Sequence, residues 1–143
     1  MKIVNDEEII SGERVVQNYV EIENAMKNGE TVLHWEGGES LSPIINHLEY
    51  CEIAPINPED VKRGDCVFCK IKGVNGGFNY MVHQVWEISD CGFDGRLWFK
   101  IGSTFGTIFG WTDEVLGIAR GTNIYHSEES WLESLEHESY QRG

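Results

Sequence analysis

Positive charge is scarce in this chain: 11 lysines and arginines stand against 24 aspartates and glutamates, for a net charge of -13. Phosphates are held by Lys and Arg, so this balance opposes direct binding to nucleic acid or to an anionic membrane. It admits an acidic surface that imitates the charge of DNA, although a solvated acidic face is the simpler account. Long apolar runs are missing as well. No stretch approaches the ~20 apolar residues of a membrane helix. Met1-Lys2-Ile3-Val4-Asn5-Asp6-Glu7-Glu8 has neither the basic start nor the apolar core of an export signal. The expectation is a cytoplasmic protein with no membrane partner. Cysteine is confined to Cys51, Cys66, Cys69 and Cys91, and in a reducing compartment free thiols are the default.

Metal and cofactor signatures are also lacking. Cys66-Val67-Phe68-Cys69 has no second Cys-x-x-Cys to complete a zinc site, and on an extended strand positions i and i+3 face opposite sides. His34, His47 and His126 show no metal-ligand spacing. Gly73, Gly76-Gly77, Gly92 and Gly95 come without the Gly-Lys-Ser/Thr of a phosphate loop. No metal and no cofactor are expected.

What is present is enough for one core: 143 residues, 41% of them hydrophobic. A single domain over 1–143 is expected, with a helical segment at 1–29, a β core at 30–120 and an acidic tail at 121–143. Val15, Val16, Tyr19, Val20, Ile22 and Met26 recur near a helical period, which predicts a helix over 11–27 with Ser11 as cap and Asn28-Gly29 as stop. After Gly29 the pattern changes to short β-type runs at 31–35, 50–55, 66–72, 80–88, 97–101 and 115–119, separated by Gly, Asn, Asp and Pro. Trp131, Leu132 and Leu135 on one face predict a short acidic helix near the C-terminus. Fewer than about forty residues precede the serine motif described next, too few for a three-helix DNA-binding module.

That motif is Gly37-Gly38-Glu39-Ser40-Leu41-Ser42-Pro43, following a predicted strand. Glycines before a serine permit a sharp bend that projects its hydroxyl, and the proline fixes the exit. Gly38-x-Ser40-Leu41-x-Pro43 resembles the Gly-x-Ser-Met-x-Pro box of signal peptidases and LexA-type serine peptidases, with Leu41 in the methionine position. Three more blocks follow in the family's order. Lys62-Arg63-Gly64-Asp65-Cys66-Val67-Phe68 resembles its Gly-Asp-hydrophobic-Val strand. Val82-His83-Gln84-Val85 resembles the His-Arg-Val box of the archaeal and endoplasmic-reticulum enzymes, where histidine replaces a lysine base. Ile101-Gly102-Ser103 through Gly110-Trp111-Thr112 and Val115-Leu116-Gly117-Ile118 is similar to the closing segment of small soluble members, often encoded by phages or prophages.

The resemblance covers roughly residues 30 to 120. It implies a mainly β fold, a LexA- or signal-peptidase-like coiled sheet forming a β-clip-like small barrel; the N-terminal and short C-terminal helices that flank it lie outside the resemblance. It implies peptide-bond hydrolysis, with Ser40 as nucleophile and His83 as general base. The substrate would be a peptide or protein bound as an extended strand and cut beside small residues. The family's acid follows a glycine in the closing segment, but Ser103 follows Gly102 here, which leaves Asp113 as the nearest candidate. The oxyanion would be held by the Ser40 N–H, with Gly38 and Ser42 as neighbouring candidates. Lys70 and Lys72 lie outside the base block and read as solvated strand lysines. No Ala-Gly or Cys-Gly bond precedes Ser40, which disfavours programmed self-cleavage.

Two other function classes stay open on sequence. One is a catalytically degenerate relative that keeps the fold as a binding or virion-structural module. The other is an acidic inhibitor that imitates DNA.

Overall fold

The computed structural model describes the backbone of residues 2–3, and residues 13–38, 40–73, 75–90 and 94–125. In chain order the elements are β1 (Lys2–Ile3), β2 (Arg14–Val15), α1 (Tyr19–Lys27), β3 (Val32–Trp35), β4 (Glu49–Pro55), a 3-10 turn (Pro58–Asp60), β5 (Cys66–Lys72), β6 (Phe78–Ser89), β7 (Trp98–Gly102), β8 (Ile108–Thr112) and β9 (Glu114–Tyr125). The strands form one mixed sheet in the order β2-β3-β4-β9-β5-β6-β7-β8, with β1 pairing β9 on the side. Among the described residues, only β1–β9 and β2–β3 are parallel. The mainly β expectation holds. Among the described residues the sheet is open, with β2 and β8 at its ends, rather than closed into a barrel.

The long middle strands explain why one sheet buries a large apolar cluster on each of its two sides, besides a small one around Leu33 and Tyr50. In β5 every residue from Cys66 to Cys69 is buried. Cys66 and Phe68 enter one apolar cluster, while Val67, Cys69 and Ile71 enter the other. Cys66 and Cys69 therefore face opposite sides, as the period of two demands. The thiols of Cys51, Cys66 and Cys69 are free and buried, and burial pushes those of Cys66 and Cys69 up to about 12.

The first cluster is roofed by α1, whose Ile22, Ala25 and Met26 pack with Val32, Ile53 and Phe68. Full burial of an Ile or Met side chain contributes ~1.5–3 kcal/mol. This helix is shorter than the predicted 11–27. Asn18 caps it, its Oδ1 accepting from Glu21 N at 3.1 Å. Upstream, β-branched Val15 and Val16 are drawn instead into pairing with β3, where Val16 N–H donates to Leu33 O at 2.8 Å. The predicted Ser11 cap and the C-terminal helix lie outside the described residues.

Lys70 departs from its expected role. Its ammonium lies 3.1 Å from Glu23 Oε2, and Tyr80 Oη donates to Glu23 Oε1 at 2.5 Å. These contacts clamp α1 to β5 and β6 through a buried carboxylate, whereas Lys72 is exposed. No helix among the described residues is long and apolar enough to cross a membrane.

Candidate active site

The segment 36–48 leaves β3, turns, and returns as β4. Gly38 has φ +109, a backbone region that L side chains rarely adopt, which is why glycine stands there. Its N–H donates to His47 Nδ1 at 2.7 Å. A tight turn follows, in which Leu41 O accepts from the N–H groups of Ile44 and Ile45 at 2.9 and 3.1 Å. Leu41 and Ile45 anchor this turn in the first apolar cluster, and Ser40 is held half-buried at its rim, where it lines a cleft with Glu36, Gly38 and Val82.

The same turn is tied to a distant hairpin. Thr104, between β7 and β8, donates its N–H to Ser40 O at 2.7 Å and its hydroxyl to Ser42 O at 2.7 Å. That hairpin is itself fixed by Ser103, whose buried hydroxyl accepts from the N–H groups of Phe105 and Thr107 at 3.3 and 3.2 Å. Ser103 thus serves the turn. Gly102 leaves no room for a side chain, since a Cβ there would lie 2.6 Å from Thr107 O.

On the next strand, Gln84 pairs with Gly102, and His83 precedes it. The Ser40 loop, the Ser103 turn and the His83 strand thus meet at one corner. The His83 ring stacks on Phe109 of β8 with centroids 4.4 Å apart. Its Nδ1 is buried and has no hydrogen-bond partner. Burial lowers the His83 pKa below the ordinary 6.5, and the negative charge of Glu36 works against that fall. No hydrogen bond joins Ser40 Oγ to His83.

Glu36 is the residue that sequence reasoning passed over. Its carboxylate Oε1 accepts from the Tyr19 hydroxyl and lies 2.9 Å from His34 Nε2. His34 is buried, and its Nδ1 lies 2.8 Å from Val16 O, so Nδ1 carries a proton toward that carbonyl. Burial alone would raise the Glu36 pKa, but hydrogen bonds from His34 and Tyr19 and positive charge at His34 and His83 hold it below the ordinary range. A glutamate before Gly37-Gly38 reads as a turn residue. The available signal was the alternation of β3, which sets His34 and Glu36 on one side.

The other candidates are placed as follows. Asp113 lies beyond β8, paired with Arg96, roughly 13 Å along an extended chain from Phe109. The acid whose charge acts on His83 is Glu36, not Asp113. Ser42 is buried, and its hydroxyl donates to Asn46 Oδ1 at 3.1 Å. The Gly38 N–H and the Ser42 hydroxyl are therefore both engaged within the loop, away from an oxyanion role. Among the described residues no group of three or more His, Cys, Asp or Glu side chains is placed to hold a metal. The chain matches no protein-family model, no curated protein and no solved structure.

Proposed function

We propose that the chain is a serine peptidase-like hydrolase in which Ser40 is the nucleophile and His83 the general base. The observation that carries this reading is the corner where Thr104 ties the Ser40 loop beside the His83 strand, with Ser40 lining a small cleft. The lowered pKa of His83 supports it, because a neutral imidazole is the form that accepts a proton at pH 7.

Ser40 Oγ bonds to the scissile carbonyl carbon as His83 accepts the hydroxyl proton. The tetrahedral intermediate then collapses: the C–N bond breaks and His83 returns that proton to the departing amine, leaving an acyl ester on Ser40. Water, giving a proton to His83, attacks the ester. Ser40 regains its proton as the carboxylic acid leaves. The oxyanion falls to the Ser40 N–H. The outer edge of β8, unpaired among the described residues and carrying exposed Ile108, Phe109 and Trp111, passes His83 and suits an extended apolar peptide added as a strand.

A second reading, a binding scaffold that has lost catalysis, is favoured by one fact: Ser40 and His83 do not hydrogen-bond to each other, although such contacts often tighten only with substrate. One experiment separates the two. The purified protein is treated with a serine-reactive acylating probe and read by intact mass, beside Ser40→Ala and His83→Ala. Labelling lost in both folded variants supports the hydrolase. Absence of labelling between about pH 6 and 9 supports the scaffold.

A further inference from the structure

We propose that α1 is a latch whose seating on the sheet is transmitted to the Ser40 loop through the bond from the Tyr19 hydroxyl to Glu36. Lifting the helix then loosens the loop, and occupation of the cleft seats the helix. This goes beyond the hydrolase reading and does not depend on it. The helix has 9 residues, too few to hold its shape in water unaided, so what orders it is the surface on which it docks. Its Ile22, Ala25 and Met26 enter the first apolar cluster, and Leu41 and Ile45 of the Ser40 loop enter the same one. Helix and loop are therefore two covers over one apolar surface.

Two polar attachments hold α1, one turn apart. At the first, Glu23 accepts from Tyr80 Oη at 2.5 Å and lies 3.1 Å from Lys70 Nζ, groups of β6 and β5 that do not belong to the loop. At the second, Tyr19 opens the helix with its ring centroid 6.0 Å from Phe68, 5.9 Å from Tyr80 and 5.6 Å from His34. Its hydroxyl donates to Glu36 Oε1. Glu36 is the neck of the loop: its carbonyl accepts from Leu48 N–H at 2.9 Å, closing the segment on itself, and it lines the cleft with Ser40. His34 Nε2 lies 2.9 Å from the same Oε1 but comes from β3. With α1 lifted, the carboxylate keeps His34 and loses Tyr19, while the far side of the loop stays tied by Thr104. The two states are thus the helix docked with the neck held from both sides, and the helix lifted with the neck held from one. Such coupling is reciprocal, so a ligand that orders the cleft protects α1 by the factor with which docking of α1 tightens the cleft.

The test is hydrogen exchange of the full chain at neutral pH, read by mass spectrometry on peptides from α1, from 40–48 and from β6 and β7. In the unaltered chain α1 and 40–48 exchange about tenfold or more faster than β6 and β7, because they open without the rest of the sheet. Glu23→Gln loosens the helix at a point that does not touch the loop, and exchange speeds in α1 and in 40–48 alike, by about fivefold or more. Tyr19→Phe keeps the ring contacts and deletes only the hydroxyl. In that background Glu23→Gln still speeds α1 and no longer changes 40–48. Lys70→Met takes the place of Glu23→Gln if the glutamine variant does not fold. The proposal is overturned if α1 is as protected as β6 and β7 in the unaltered chain, since the helix then opens only with the whole molecule. It is overturned equally if loosening leaves α1 unmoved, if α1 is freed while 40–48 keeps its rate, or if the response of 40–48 survives Tyr19→Phe at full size.

Discussion

The N–H of Thr104 donates to the carbonyl of Ser40 at 2.7 Å across a sequence separation of 64 residues. This bond and the one from the Thr104 hydroxyl to Ser42 join the loop after β3 to the turn before β8, and so fix where Ser40 stands relative to β6. Thr104→Val keeps the backbone bond and the shape while deleting the hydroxyl. Loss of one such net hydrogen bond costs about 1 kcal/mol, which lowers the melting temperature by roughly 3 °C. Ser40 acylation slows by a larger factor than stability alone accounts for, because misplacing a reacting group is costly to rate. A melting-temperature loss with an unchanged acylation rate would show the tie to be structural only.

The opposite side of that turn gives a steric test. A methyl group at position 102 would lie 2.6 Å from Thr107 O and 2.8 Å from Ile108 Cδ1, and the first of these is backbone that moves only with the whole turn. Gly102→Ala therefore destabilises by about 1–3 kcal/mol, read by chemical denaturation. It also displaces Thr104 and lowers acylation. Gly77→Ala, where a Cβ meets open space, is the matched control.

How much of this was legible beforehand depends on what each segment's neighbours supply. The run Cys66-Val67-Phe68-Cys69-Lys70-Ile71-Lys72 announces itself as a strand because it is apolar, β-branched and bounded by Gly64 and Gly73, and β5 has those bounds. Strand β8 did not, since Ile108-Phe109-Gly110-Trp111 lacks alternation and leaves its large side chains exposed. It is a strand because β7 provides its pairing. Likewise β9 runs past Ala119: Arg120 and Gly121 pair with Glu52 and Cys51 of β4, and after an irregularity at 122–124 the pairing resumes at Tyr125 opposite Glu49, although the stretch reads as a turn. Ser40 and His83 were visible through their motifs. Glu36 was not, because Tyr19 and His34, which give it its character, converge on it only after folding.

Acid should weaken the clamp on α1. Glu23 accepts from Tyr80 and Lys70, and although burial alone would raise its pKa, these partners hold it below its ordinary 4.5. The sign follows: with a folded value below the unfolded one, this contribution to stability is complete above about pH 4.5. It is lost as the pH falls through the lower folded value. Glu23→Gln destabilises the chain by about 1–3 kcal/mol at pH 7, and the difference from the unaltered chain shrinks toward pH 3. Urea melts of the two proteins at both pH values check this. A gap that stays constant would show that the charge of Glu23 is immaterial to the clamp.

The acylation profile should report His83 directly. Because its pKa lies below 6.5 in the folded chain, the reactive neutral form predominates at pH 7, and the rate levels off as the pH rises further. Below that plateau it falls with a midpoint under that of a free imidazole. The cause is desolvation, to which the Phe109 ring contributes from 4.4 Å. Phe109→Ala admits water to the ring, so the midpoint rises toward 6.5 by histidine NMR, and the acid limb of the acylation profile moves up with it. The direction is opposite to that expected for Glu36→Gln, which removes a charge that raises the His83 pKa, so the two substitutions separate a dielectric effect from a charge effect. A midpoint that falls in Phe109→Ala would mean that the aromatic face stabilises the imidazolium instead, with the desolvation supplied by β5 and β7 alone.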